Sequence, residues 1–196
     1  MNYDAIGKRV HAWRQKNFGR QTPMRNAHQV VEECSEVQLA VIEGNRVEMA
    51  EELADVILAV CGFAEAEGIK VQSAPDMSQR TLGALFVAAG CLSRCVGKSH
   101  EGIRSESRGT LPEALSSILG SAENLIAIYG FTSISSVVES RIQRMESLDF
   151  TANRETGGVP EACDGSMQFG EDWAGRVLPR PWTLRCSKVS LAPPPT

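Results

Sequence analysis

The stretch from Leu53 to Phe63 reads LADVILAVCGF and contains a single charged residue, Asp55. A helix apolar on nearly all sides must be buried on nearly all sides, so this segment has to run through the middle of whatever the chain builds. A lone carboxylate in such a place is costly unless it is paired or bound to metal. Asp55 also closes a cluster, Glu51-Glu52-x-x-Asp55, and a matching one, Glu32-Glu33-x-x-Glu36, precedes it across a turn at Gly44-Asn45. At the helical period, Glu36 lies about 40° from Glu32 and about 60° from Glu33, so each cluster occupies one arc of its helix. Two helices joined by a tight turn lie antiparallel, which can bring the two arcs together. Either cluster alone is more often a solvated face. Convergent carboxylates raise each other's pKa unless a cation sits among them, and an all-oxygen set suits Mg²⁺ or Mn²⁺.

This EExxE, turn, EExxD pattern leading into an apolar helix resembles the MazG-like family of all-α nucleoside triphosphate pyrophosphatases, whose relatives include dimeric dUTPases and phosphoribosyl-ATP pyrophosphohydrolases. The resemblance covers roughly residues 3–150. It implies an all-α bundle that converts a (d)NTP and water to a (d)NMP and pyrophosphate. It further implies a homodimer or homotetramer, with Mg²⁺, or alternatively Mn²⁺, held by Glu33, Glu36, Glu52 and Asp55. The first acid of the EExxE cluster, Glu32, takes the role of general base. A Lys or Arg just after the ExxD helix points to Arg80 as a phosphate contact, and a GK…GIR loop adds Lys98 and Arg104. Asp76 stands where some relatives carry an uncharged amide.

The composition fits a soluble globular protein: 196 residues, 42% hydrophobic, 22% charged, net charge −4. That mild acidity argues against a protein holding nucleic acid by its phosphates, which needs a basic face. No run reads as a membrane span, and the opening MNYDAIGKRV does not form a signal peptide, so the expected location is cytoplasmic. The six cysteines lack zinc-finger spacing; Cys34, Cys61, Cys91 and Cys95 fall in apolar helical stretches, where a free thiol packs as a small hydrophobe.

Periodicity and caps predict six helices: about 4–16, 23–43, 47–67, 78–97, 111–129 and 134–147. Thr22-Pro23 marks the second start, Gly44 and Gly68 mark stops, and Thr110-Leu-Pro-Glu113 is a capping box. The expected core stripe of the second helix is Ala27, Val30 or Val31, Cys34, Val37 and Val41. The hairpins 23–68 and 78–130 align as a repeat. At an offset of 62, Leu53 meets Leu115 and Gly68 meets Gly130, while Glu52 and Asp55 become Ala114 and Ser117. At an offset of 53, Glu32, Glu33 and Glu36 become Leu85, Phe86 and Ala89. This reads as a tandem pair whose second copy has lost its acids, forming one unit over 1–150. Six of the nine prolines lie in 151–196, an irregular tail with a short element around 167–177 and Trp173 or Trp182 docking on the bundle.

For the base, the resemblance brings the first helix near the nucleotide, so Trp13 and Phe18 are stacking candidates, although Trp13 also fits the core stripe of Ile6 and Val10. Asn26, His28 and Gln29 could meet a base edge, with His28 alternatively a plain surface residue. Missing dUTPase signature segments and the family's association with guanine and cytosine deoxynucleotides make dGTP the expected substrate. The alternatives are hydrolysis of dUTP, dCTP or phosphoribosyl-ATP on the same fold, and a catalytically idle helical scaffold that binds a partner.

Overall fold

The structure is a computed structural model that describes residues 1–72, 81–102, 110–132 and 134–150. The chain divides into Met1–Gly158 and Val159–Thr196, and all described residues lie in the first unit. The elements expected in the tail, with Trp173 and Trp182, lie outside the described residues. Six helices follow in order: α1 Tyr3–Phe18, α2 Pro23–Glu43, α3 Arg46–Ala66, α4 Leu82–His100, α5 Leu111–Ile128 and α6 Ile134–Ser147. No strand occurs among the described residues, so the chain is all-α as expected.

Local chemistry sets the boundaries. The Thr22 hydroxyl accepts from the Arg25 amide at 3.2 Å, ahead of Pro23 in the first turn. Gly44 adopts φ +67, a left-handed conformation that glycine takes without strain, and the chain reverses there into α3. At α5 the Glu113 carboxylate accepts from the Thr110 amide at 2.6 Å, within the expected capping box.

Helix α3 is the axis of the bundle, packed against α1, α2, α5 and α6. Every residue from Leu53 to Ala64 is buried, including the whole of the apolar run. Each buried Leu, Ile, Val or Phe contributes about 1.5–3 kcal/mol. The cover that this run requires therefore comes from the chain itself and not from a second copy. On α2 the buried stripe is Ala27, Val30, Cys34, Val37 and Ala40, with Val41 only partly covered. Cys34 and Cys61 are free and buried, Cys91 is free and half-buried, and Cys95 is half-buried.

Helix α4 is long and apolar enough to cross a membrane by length and composition, which corrects the sequence expectation that no segment is. It packs on α2 and α5 and buries Leu85, Ala88, Ala89, Leu92 and Val96, as a core helix does. Its opposite face, with Gly83, Val87, Gly90 and Arg94, is exposed, Val87 to 69%.

Helices α1 and α3 approach closely because glycines face each other's neighbours. A Cβ on Gly7 would lie 2.7 Å from the Cys61 carbonyl oxygen, and one on Gly62 would lie 2.6 Å from Val10 Cγ1. Gly7→Ala should gain about 1 kcal/mol of helix propensity and yet lower stability by about 1–2 kcal/mol net, because a backbone carbonyl cannot move aside as a side chain can. Chemical denaturation measures this, and a stabilised variant would show that the α1–α3 approach is looser than drawn.

Candidate active site

The α2–α3 reversal at Gly44 sets the two acidic arcs opposite each other. Glu33 is fully buried, and Glu36 and Glu52 are half-buried. One carboxylate oxygen from each of these three lies within 4.8 Å of the others. Glu33 Oε2 and Glu52 Oε2 are buried without a hydrogen-bond partner, a state that costs free energy unless something else satisfies them. Burial first, then the neighbouring charges of Asp55, Glu36, Glu52 and Glu32, push the Glu33 carboxyl well above its usual range. Burial also pushes Glu52 up to about 8, with Asp55 and Glu36 adding to it. Glu36 is raised chiefly by burial, against a hydrogen bond with Glu52 that lowers it. Carboxylate oxygens that are convergent, partly orphaned and reluctant to ionise alone fit a hard divalent cation.

Asp55, the fourth acid of the pattern, is differently engaged. Arg141 of α6 grips it with a two-pronged ion pair, Nε donating to Oδ1 at 3.0 Å and Nη2 donating to Oδ2. Its Nη1 also lies 3.6 Å from Glu51. Burial raises the Asp55 carboxyl while this fork pulls it down; Arg141 itself is held more firmly protonated by Asp55 despite its own burial. Arg141 is not among the cations that the sequence singled out, Arg80, Lys98 and Arg104. The signal was present in its spacing: it falls three residues after Val138 and four before Met145, inside the inward stripe of α6.

A second guanidinium lies behind the acids. Arg14 of α1 is buried, with Nη1 unpartnered and resting where a Cβ on Gly62 would be 3.0 Å away. Burial pushes it down to about 10, and the charge of Glu33 opposes that. Its signal was its position four residues after Val10, on the core face. Asn26 is buried on the same face of α2 as Glu33, and its Nδ2 has no partner.

The remaining candidates are scattered. Glu32 is half-buried beside the cluster and acts through its charge on Glu33 and Glu36. Trp13 is buried, edge-on to Phe18 at 5.4 Å and to Phe150 at 6.0 Å, and its indole N–H donates to the Leu148 carbonyl at 3.0 Å. Phe18 stacks on Phe150 at 5.6 Å. His28 is exposed on α2, and Lys98 is half-buried near the end of α4 without an ion pair to any site carboxylate. Arg80, Arg104 and Asp76 lie outside the described residues.

The raised carboxyls carry a stability consequence. A carboxyl whose folded pKa exceeds its unfolded value holds extra protons in the folded state, so its contribution is full below the unfolded value and lost as pH rises through the folded one. With Glu52 moving from 4.5 to about 8, the metal-free protein should melt at progressively lower temperature across that window. Thermal melts in chelator should show this decline, flattened in Glu52→Gln; a melting point that climbs with pH would contradict the site's electrostatics.

The model of the MazG nucleotide pyrophosphohydrolase domain matches residues 21–79. No curated protein and no solved structure matches the chain. The matched segment begins beside the cap of α2 and contains both acidic clusters and all of α3. That segment is similar to a MazG nucleotide pyrophosphohydrolase domain, and the bundle built around it is all-α.

Proposed function

We propose that the protein is a metal-dependent nucleoside triphosphate pyrophosphohydrolase, cutting between the α- and β-phosphates to release a nucleoside monophosphate and pyrophosphate. The observation that carries this reading is the approach of Glu33, Glu36 and Glu52 oxygens within 4.8 Å of one another, inside the segment matched by the family. These three and Asp55 are the proposed ligands of Mg²⁺ or Mn²⁺. The ion supplies charge neutralisation of the triphosphate and of the charge that develops at the attacked phosphorus. Glu32, beside Glu33 at the rim, accepts the proton of the attacking water as its oxygen bonds to the α-phosphorus and the bond to the leaving pyrophosphate breaks. Lys98, Arg80 and Arg104 are the proposed phosphate contacts.

The proposed substrate is a deoxynucleotide, dGTP first. The buried Nδ2 of Asn26, which has no partner, supports a base-edge contact on α2, beside His28 and Gln29. A site built around such a group discriminates because the wrong base leaves it unpaired. Trp13 and Phe18 already pack on Phe150, so a stacking role for either requires that cluster to open. The hairpin α4–α5 is proposed as a degenerate repeat of α2–α3 within a unit spanning 1–150. The exposed face of α4 fits burial against a second copy, in keeping with a cytoplasmic homodimer or homotetramer.

Pyrophosphate release from dGTP, dATP, dCTP, dTTP and dUTP with Mg²⁺ or Mn²⁺ tests the reading, with kcat/KM highest for dGTP. No release from any nucleotide would favour the idle scaffold. Glu36→Gln and Asp55→Asn should abolish turnover with the helical signal retained. Glu32→Gln should keep metal binding and lose about 10²- to 10⁴-fold in rate. Near wild-type activity in Glu36→Gln at saturating metal would sink the site. Light scattering should give a mass above the 21.3 kDa of one chain.

A further inference from the structure

Both oxygens of Asp55 are engaged. The Arg141 fork donates to Oδ1 and Oδ2, and its third nitrogen faces Glu51. The Asp55 side chain is 4% exposed and that of Arg141 is 21% exposed, so water screens the pair weakly. The other three acids converge without it: Glu33, Glu36 and Glu52 offer oxygens to one point, while Asp55 is turned into the guanidinium. A fork of this kind takes one lone pair on each oxygen and sets a positive charge against the carboxylate, where a divalent ion would be repelled.

Arg141 is not a surface side chain that has drifted onto an acid. Its helix is fixed from the opposite side by Arg9, which holds Glu139 at 2.8 Å and Glu146 at 2.7 Å. Lys16 holds Asp149 at 3.0 Å just beyond the helix end, and Val138, Ile142 and Met145 are buried. The guanidinium is therefore delivered to Asp55 by a docked element. Arg144, one turn further on, acts on Asp55 through space.

We propose that Arg141 and the divalent metal ion compete for Asp55, the guanidinium neutralising this carboxylate while the site is empty and leaving it before Asp55 becomes the fourth ligand. This rests on the metal site proposed above. A substituted cation avoids the cost of a buried, uncompensated charge in the metal-free protein. It also weakens metal binding by the free energy needed to break the fork.

Calorimetric titration of the full-length, nucleotide-free protein with Mn²⁺ tests this. Arg141→Gln should bind Mn²⁺ roughly 10-fold more tightly than wild type, the scale of a charge-assisted hydrogen bond. Arg141→Lys should fall between the two, because an ammonium cannot bridge both oxygens. Arg144→Gln removes the same unit charge without removing the fork and should gain no more than about threefold. In chelator, Arg141→Gln should also melt below wild type and recover more than wild type when Mn²⁺ is added. Unchanged or weaker Mn²⁺ binding by Arg141→Gln, or an equal gain in Arg144→Gln, overturns the competition. Should Arg141→Gln fail to fold by circular dichroism, Arg141→Lys decides alone, with a gain supporting the proposal and no gain overturning it. Absence of Mn²⁺ binding in wild type and every variant would bring down the metal site itself, whereas binding without any gain removes only the role of Arg141.

Discussion

The bundle is governed by the cost of carrying carboxylates on a helix that is buried on every side. Glu52 and Asp55 belong to α3, whose run from Leu53 to Ala64 has no exposed residue. The arc that bears them faces Glu33 and Glu36 on α2, so the packing that stabilises the core also concentrates negative charge within it. The architecture offsets that cost from two sides. Arg14 lies behind the cluster on α1 and Arg141 closes it from α6. A strongly apolar helix thus becomes tolerable as the wall of a charged site.

The glycines of the α1–α3 contact belong to the same arrangement. Gly62 leaves room for the Arg14 guanidinium as well as for Val10, and Gly7 lets the backbones of the two helices draw together. A bulkier residue at Gly62 would displace the only buried cation of α1. Packing and electrostatics are solved by the same small residue.

The aromatic cluster shows how partners distant in the chain meet one side chain. Trp13 fits both a core stripe and a stacking platform. After α6, Phe150 comes back against Trp13 and Phe18, Leu148 accepts the indole proton, and the Phe150 amide donates to Asn17 Oδ1 at 2.6 Å. These partners are more than a hundred residues away along the chain, and nothing near Trp13 announces them.

Local chemistry written in the chain was enough for the helices and their ends. Thr22-Pro23, Gly44 and Glu113 act within a few residues of where they stand, and the apolar run of α3 demands burial wherever it goes. The acidic spacing likewise places each cluster on one arc, and it was sufficient to single out the segment matched by the family. Which cation meets which acid is a different kind of fact. Arg141 reaches Asp55 only because α6 folds back across α3, and Arg14 reaches the neighbourhood of Glu33 only because α1 crosses α3 at its glycines. Periodicity assigns a residue to a face; only the tertiary arrangement decides what that face meets, because pairing across helices depends on crossings between segments far apart in the chain.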